Sequence, residues 1–146
     1  MVLIETEERH IPELVRISKA AFDSDIEVGA SIGNVPPNYN SEVWHKDMMR
    51  RGNLFTAIVN EKIIGAAIVF PNADNGTVYI GRIFVDPVEF RKGYGIAIMN
   101  EIESMYPDAL SFNLDTPEWN ARTNVFYKKL GYREQKREDG FVYYEK

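Results

Sequence analysis

The stretch VYIGRIFVDPVEFRKGYG, residues 78–95, determines the predicted fold of this chain. Residues 78–85 form an apolar run with the length and composition of a buried strand. Asp86 and Pro87 end that run, and Gly93 and Gly95 come shortly before a second apolar pattern of helical spacing. The sequence therefore predicts a strand, a short glycine-containing loop and a helix in immediate succession.

The loop between this strand and helix has the chemistry of an anion-binding site. The first amides of a helix have no partners within the helix and lie at the positive end of its dipole. Glycine lets a backbone approach a ligand closely, and Arg91 and Lys92 add positive charge. We expect a pyrophosphate at Arg91-Lys92-Gly93-Tyr94-Gly95. The alternative is an ordinary turn with two solvated basic residues. Neither the dinucleotide-binding Gly-x-Gly-x-x-Gly pattern nor a P-loop is present.

Periodicity outward from this segment predicts the remaining elements. Asn60-Glu61-Lys62 and Asp139-Gly140 are typical hairpin turns, and the irregular residues 23–40 are long enough to suggest a binding loop. The order predicts one α+β domain over residues 1–146, with a mixed, mostly antiparallel sheet of about seven strands and about four helices. Further strands are expected at residues 2–6, 54–59, 63–70, 109–114, 132–135 and 141–145, and helices at residues 10–22, 42–50, 96–105 and 121–130.

Composition excludes several classes of protein. The net charge of −5 argues against a nucleic-acid partner. The absence of cysteine rules out disulfides and a cysteine nucleophile, and two isolated histidines make no metal site. With no signal-like N-terminus and no apolar stretch long enough for a membrane helix, we expect a cytoplasmic protein that does not bind membranes.

A second segment, NARTNVFYKKLGY at residues 120–132, follows the next predicted strand. Together the two segments resemble the GNAT superfamily of acetyltransferases. The first segment is similar to the family's Val-x-Pro and Arg/Gln-x-x-Gly-x-Gly/Ala motif. The second is similar to the family's motif of an Asn followed by Phe-Tyr-x-x-x-Gly-Phe/Tyr. One position departs, because Phe90 stands where the family usually has Arg or Gln and Arg91 comes one residue later. The role of Arg91 is therefore open.

The resemblance implies transfer of an acetyl group from acetyl-CoA to a primary amine, by direct attack in a ternary complex. It implies that Tyr127 is the general acid and that the Val85 amide binds the thioester carbonyl. The alternatives are that Tyr127 only packs the helix, that Asn120 only caps it, and that Lys129 is only a solvated surface residue. The implied cofactor-binding residues are Ile83, Phe84, Val85, Arg91, Lys92, Gly93, Tyr94, Gly95, Ile96, Asn120, Phe126 and Lys129.

The general base and the acceptor are not identified by the sequence. The strand before Val85 carries no carboxylate, which leaves Tyr79, a water held near Asp115, or His45, although His45 is more typical of a helix surface. Acidic residues near the expected acceptor side favour a cationic or polyamine-like amine; they are Asp23, Asp25, Glu27, Asp115 and Glu118.

Two other functions and one assembly stay open at this stage. The missing strand carboxylate allows a non-catalytic acyl-CoA binding or sensing module on the same fold. An interaction domain with a fortuitous glycine turn is the third possibility. The apolar run at residues 141–144 either pairs with a second copy, forming a homodimer, or closes the chain's own sheet.

Overall fold

The structure, a computed structural model, describes residues 1–31 and 33–146. Over these residues seven strands form one sheet, and four α-helices pack against it. The predicted α+β fold with a mixed sheet is confirmed. The strands are β1 (Val2–Glu5), β2 (Leu54–Val59), β3 (Lys62–Asn72), β4 (Thr77–Val85), β5 (Ser111–Pro117), β6 (Arg133–Glu138) and β7 (Phe141–Glu145). The helices are α1 (Ile11–Asp23), α2 (Glu42–Arg50), α3 (Tyr94–Met105) and α4 (Ala121–Lys129), with short 3-10 helices at Glu8–His10, Ser24–Val28 and Pro87–Glu89.

The sheet has the order β1-β2-β3-β4-β5-β7-β6, and β4 with β5 is its parallel pair. β4 pairs with β3 along its whole length, whereas it pairs with β5 only from Thr77 to Tyr79. The two parallel strands separate beyond that point. The edge of β4 from Ile80 to Val85 is therefore left facing an opening in the middle of the sheet.

The register of β3 and β4 determines which backbone groups face this opening. The Asp86 amide donates to the Ile64 carbonyl of β3 at 2.8 Å. Backbone groups of successive strand residues point to alternate sides. The amides and carbonyls of Val85 and Ile83 consequently point away from β3, towards the opening, while those of Phe84 pair with β3.

Two apolar clusters flank the sheet and hold β4 in place. One joins α3, through the fully buried Ile98 and Ile102, to the central strands. The other joins α1 and α2 to β2, β3 and Phe84. Each fully buried aliphatic side chain contributes about 1.5–3 kcal/mol relative to exposure. β4 is thus fixed by both clusters even though half of one edge is unpaired.

Some boundaries differ from those predicted. α3 begins at Tyr94 rather than at residue 96, because Gly93 adopts a left-handed conformation with φ of 82° and acts as the N-cap. β5 spans Ser111–Pro117 rather than residues 109–114, because pairing with β7 extends as far as Pro117 opposite Phe141. Long-range pairing of this kind is not encoded in local periodicity.

The C-terminal strands complete the chain's own sheet. β7 lies between β5 and β6, and β6 is the edge strand. Every residue of β6 is exposed, and the strand reads REQKRE. Charged side chains on an edge strand discourage pairing with another sheet. The homodimer stays a prediction. The apolar run of β7 is paired on both sides within this sheet, so it offers no free edge to a second copy. In the part of the chain that the structure describes, no helix combines the length and apolarity needed to cross a membrane.

Both histidines are buried in the core. The side chain of His45, on α2, is fully buried; its Nδ1 donates to the Ser41 carbonyl at 2.6 Å, and its Nε2 has no partner among the described residues. His10 is also buried, and its Nδ1 accepts from the Glu7 amide at 3.1 Å. Burial is the largest cause lowering the pKa of both imidazoles below 6.5. Both are therefore neutral structural groups at neutral pH.

These depressed pKa values predict loss of stability on mild acidification. Below the ordinary pKa of 6.5 the unfolded chain binds more protons than the folded one, so the free energy of unfolding falls as pH falls towards the folded pKa values. We expect a lower melting temperature at about pH 5.5 than at about pH 7.5, and a flatter pH dependence in a His10→Asn, His45→Asn double variant. Thermal melts at both pH values measure this. An unchanged slope in the double variant would assign the pH dependence to other groups.

Candidate functional site

The opening between β4 and β5 leads into a cleft of about 840 Å³. Its walls come from β4, the loop before α3, the first turns of α4, and the segment that follows α1. The lining residues are Ala21, Phe22, Asp25, Glu27, Val28, Ile83, Phe84, Val85, Pro87, Glu89, Phe90, Arg91, Gly93, Tyr94, Gly95, Arg122, Thr123, Phe126 and Tyr127. The cleft therefore brings together both sequence segments that were predicted to form one site.

The N-terminus of α3 opens into this cleft. Its N-cap, Gly93, offers no side chain to the first amides, and the first turn contains no acidic residue. Arg91 adopts a left-handed backbone with φ of 66°, which is uncommon outside glycine and typical of functional loops. Unpaired amides, a helix dipole and left-handed loop residues together make an anion-binding concavity. This is the local structure that the glycine pattern predicted.

A guanidinium reaches the Phe90 position from another part of the chain. Arg122, at the start of α4, lies with its Cζ 5.1 Å from the centre of the Phe90 ring. Its Nη2 also donates to Asp25 Oδ1 at 2.7 Å. Burial raises the pKa of Asp25, an effect that Arg122 and Asn120 oppose. Arg122 thus brings a guanidinium, ion-paired with Asp25, against the ring of Phe90.

Four of the predicted cofactor-binding residues do not line the cleft. Lys92 donates to Glu89 at 2.8 Å instead. The buried Asn120 caps α4 by accepting from the Thr123 amide at 3.1 Å, so its predicted capping role is present. Ile96 and Lys129 are exposed on the outer sides of their helices. The other predicted residues all line the cleft, namely Ile83, Phe84, Val85, Arg91, Gly93, Tyr94, Gly95 and Phe126.

Tyr127 both packs α4 and lines the cleft. Its ring contacts Phe126 and Tyr132, with centroid separations of 5.2 and 6.0 Å. Its hydroxyl makes no hydrogen bond within the described part of the chain. Burial raises the pKa of Tyr127 well above 10, and the charges of Asp115 and Tyr79 add to this effect. The hydroxyl is therefore protonated across the neutral range and available as a proton donor.

The base candidates from the sequence lie away from the cleft. Tyr79 donates its hydroxyl to Asp115 at 2.9 Å, and burial, followed by Asp115, raises its pKa well above 10. A tyrosine held protonated in this way is unsuited to accept a proton. His45 is in the core and does not line the cleft. Glu27, exposed on the 3-10 helix Ser24–Val28, does line it.

Most of the acidic residues near the acceptor side are already compensated. Asp23 pairs with Lys19 at 2.6 Å, and Glu118 pairs with Arg137 at 3.0 Å. Asp25 pairs with Arg122, as described above. Of the acids predicted to attract a cationic acceptor, Glu27 is the one that lines the cleft without an ion pair to another described residue. In residues 1–31 and 33–146, no group of three potential ligands is placed to hold a metal ion.

Three contributors to the site carried no signal in the sequence. Arg122 meets Asp25 across 97 positions of the chain, so local pattern does not reveal the pair. Phe22 reaches the cleft from the end of α1, and Glu89 reaches it from the 3-10 helix Pro87–Glu89.

Comparison with known proteins supports the fold. Residues 50–134 match the family described as "Acetyltransferase (GNAT) domain". No curated protein sequence matches the chain.

Several solved structures share this architecture at low sequence identity. The PaiA N-acetyltransferase of Thermoplasma acidophilum, crystallised with coenzyme A, superimposes with a TM-score of 0.88 at 15% identity, covering 99% of this chain and 97% of that one. A GNAT-family acetyltransferase from Streptococcus agalactiae gives 0.85 at 15% identity, with 99% and 94% covered. The ribosomal-protein-S18-alanine N-acetyltransferase of Escherichia coli gives 0.75 at 18% identity, with 99% and 91% covered. At these identities the likeness establishes the fold.

Proposed function

Because the chain belongs to the GNAT family of acetyltransferases, we propose that it transfers an acetyl group from acetyl-CoA to a primary amine, by direct attack within a ternary complex. The observation that carries the proposal is the cleft itself. An unpaired strand edge and an uncapped helix N-terminus open into the same 840 Å³ space.

The cleft suits the two chemically different parts of acetyl-CoA. The Ile83 and Val85 backbone groups that face the opening would pair with the amides of the pantetheine arm, as an added strand would. The α3 N-terminus, with Arg91 beside it, would hold the pyrophosphate. Bound acetyl-CoA supplies the acetyl thioester. Arg122, whose guanidinium lies against the Phe90 ring and pairs with Asp25, would add hydrogen-bond donors on the side where Phe90 has none.

Three groups of the chain would act on the transfer itself. The Val85 amide would donate a hydrogen bond to the thioester oxygen as negative charge develops there. The Tyr127 hydroxyl would donate its proton to the departing thiolate. The Glu27 carboxylate, directly or through a water, would take the proton from the amine nucleophile. No cysteine is present for an acyl-enzyme, which is consistent with direct attack.

Acetyl-CoA binding is the first test of this proposal. We expect saturable stabilisation by acetyl-CoA, on the order of 2–3 kcal/mol at a hundredfold excess over the dissociation constant. A Gly95→Leu substitution should abolish the stabilisation. A Cβ at residue 95 would lie only 3.3 Å from the Phe126 ring, and both residues line the cleft, so the leucine side chain would obstruct the space for acetyl-CoA. Thermal-shift titration measures the effect, with free CoA and ATP as comparison ligands.

The matched control is Asn100→Leu, which places the same side chain on an exposed position of the same helix. It should retain the acetyl-CoA shift. The absence of any shift with CoA esters at millimolar concentration would contradict the proposal and favour an interaction domain. Binding without turnover of any amine would favour the non-catalytic acyl-CoA module.

Removing the Tyr127 hydroxyl should slow the chemical step. We expect Tyr127→Phe to lower kcat by about 100-fold, the usual contribution of a positioned general acid, and to leave the KM for acetyl-CoA nearly unchanged. Since that hydroxyl bonds no other described residue, the melting temperature should hardly change. Thiol release during turnover measures kcat. Tyr132→Phe is the control, because its hydroxyl donates to Glu103 rather than facing the cleft, and it should retain kcat. Equal losses in both variants would argue against the acid role.

Removing the Glu27 carboxylate tests the base. Glu27→Gln keeps the shape of the side chain but does not accept the proton, so we expect kcat at neutral pH to fall by about 100-fold. The control is Asp23→Asn, an exposed acid at the end of α1 that accepts hydrogen bonds from Lys19 and Tyr39 instead. Steady-state measurement of kcat for both variants tests this expectation. Full activity in Glu27→Gln would leave a water held by the backbone as the proton acceptor.

A further inference from the structure

Asp86 is a buried carboxylate at the point where β4 ends. It directly follows Val85, the last residue of that strand. Its Oδ2 accepts from Arg16 Nη2 of α1 at 2.7 Å, and Arg16 is its one ion-pair partner within residues 1–31 and 33–146. A buried charge is costly unless it is paired and hydrogen-bonded. The Arg16 guanidinium therefore keeps this carboxylate in its buried position.

The other polar groups of Asp86 bond to two further elements. Its backbone amide donates to the Ile64 carbonyl of β3, and its own carbonyl accepts from the Glu89 amide, both at 2.8 Å. Its second carboxylate oxygen, Oδ1, accepts from the Val88 amide at 3.3 Å. Val88 and Glu89 belong to the 3-10 helix Pro87–Glu89. Asp86 thus joins β3, α1 and this 3-10 helix at a single residue.

The elements that meet at Asp86 also form walls of the cleft. Val85 and Pro87, on either side of Asp86 in the chain, both line the cleft. The helix that carries Arg16 contributes Phe22 from its C-terminal end. The Arg16–Asp86 ion pair therefore ties two walls of the cleft to each other from outside the cleft itself.

The end of β4 depends on this ion pair because one edge of the strand is unpaired there. Its pairing with β5 stops at Tyr79, and its pairing with β3 stops at Val85, opposite Gly65. The two backbones are very close at that last pair, since a Cβ on Gly65 would lie 2.3 Å from the Phe84 carbonyl oxygen. β3 thus fixes the strand end on one edge, and the ion pair to α1 fixes it on the side of that helix.

We propose that Arg16 and Asp86 are positioning residues for the acetyl transfer, which hold the Val85 amide in the direction that the thioester oxygen requires. The inference rests on the proposed function and deepens it at the same site. A hydrogen-bond donor stabilises developing negative charge best when it is held in place before the reaction. A displacement of about 1 Å can cost on the order of 100-fold in rate. Both side chains act through the backbone of Val85 and not on the substrate.

Exchange of either member of the pair should slow turnover without weakening acetyl-CoA binding. We expect kcat to fall by on the order of 10-fold in Asp86→Asn and in Arg16→Gln, with the KM for acetyl-CoA within about twofold of the wild-type value. Arg16→Lys keeps the charge and should lie between the wild type and Arg16→Gln. Because the two residues act as one unit, the double variant should lose no more activity than either single variant.

Two control variants separate positioning from a general loss of stability. Glu13→Gln removes the other acid that pairs with Arg16, an exposed residue of α1, and should retain kcat. Ile102→Val shortens a fully buried side chain of α3 and lowers the melting temperature, as loss of the ion pair also will. It should nevertheless retain kcat. All rates are measured well below the lowest melting temperature of the set.

Backbone-amide NMR spectra test the positioning without turnover. In the free protein, the Val85 and Val88 amide resonances should shift in Arg16→Gln, although the exchanged residue is distant in sequence from both. The same resonances should stay in place in Glu13→Gln. An unmoved Val85 resonance in Arg16→Gln would contradict the inference.

The kinetic outcomes distinguish this inference from the proposed function. Wild-type kcat in Asp86→Asn or Arg16→Gln would overturn the inference, as would an equal loss of kcat in Ile102→Val or a loss confined to the KM for acetyl-CoA. Slow turnover in both pair variants, with an unchanged acetyl-CoA thermal shift, would support it. Absence of acetyl-CoA binding or of turnover in the wild-type protein would contradict the proposed function instead.

Discussion

The separation of β4 from β5 after three paired residues is the constraint on which the rest of the structure depends. A parallel pair that continued to Val85 would close the sheet and fill the cleft with its own hydrogen bonds. The backbone groups of Ile83 and Val85 would then have no capacity left for a ligand. An unpaired strand edge inside a sheet is costly in isolation. It persists here because β4 is fixed on its other edge by β3 and on both faces by apolar clusters.

The charge around this opening depends on which acids and bases form ion pairs there, and not on the net charge of the chain. The net charge is −5, yet the acids near the cleft are largely bonded to neighbouring bases. Among the described residues that line the cleft, Arg91 and Glu27 have no ion-pair partner, and the amides at the start of α3 have no capping side chain. An acidic composition therefore says little about the charge that a ligand meets. The contrast between Asp25 and Glu27, two residues apart, shows that pairing decides which acid is available.

The sequence predicted the parts of the fold that depend on local chemistry. The turn at Asn60 and Glu61, with φ of 48° and 65°, and the turn at Asp139-Gly140 were predictable because few residues adopt left-handed backbone. The loop before α3 was predictable for the same reason. The length of β5 was not, since it depends on pairing with β7. The Arg122–Asp25 ion pair was not predictable either, because its two residues lie 97 positions apart in the chain.

The Phe90 position illustrates why a site of this kind tolerates sequence change. The groups proposed to bind the anion are mostly backbone amides, whose direction depends on the left-handed residues and the helix start rather than on particular side chains. A side-chain charge can then come from any element that borders the cleft. Here the guanidinium of Arg122, from α4, lies against the Phe90 ring while paired with Asp25. The two features of the fold on which the proposed site depends are the separation of β4 from β5 and the uncapped N-terminus of α3 beside it.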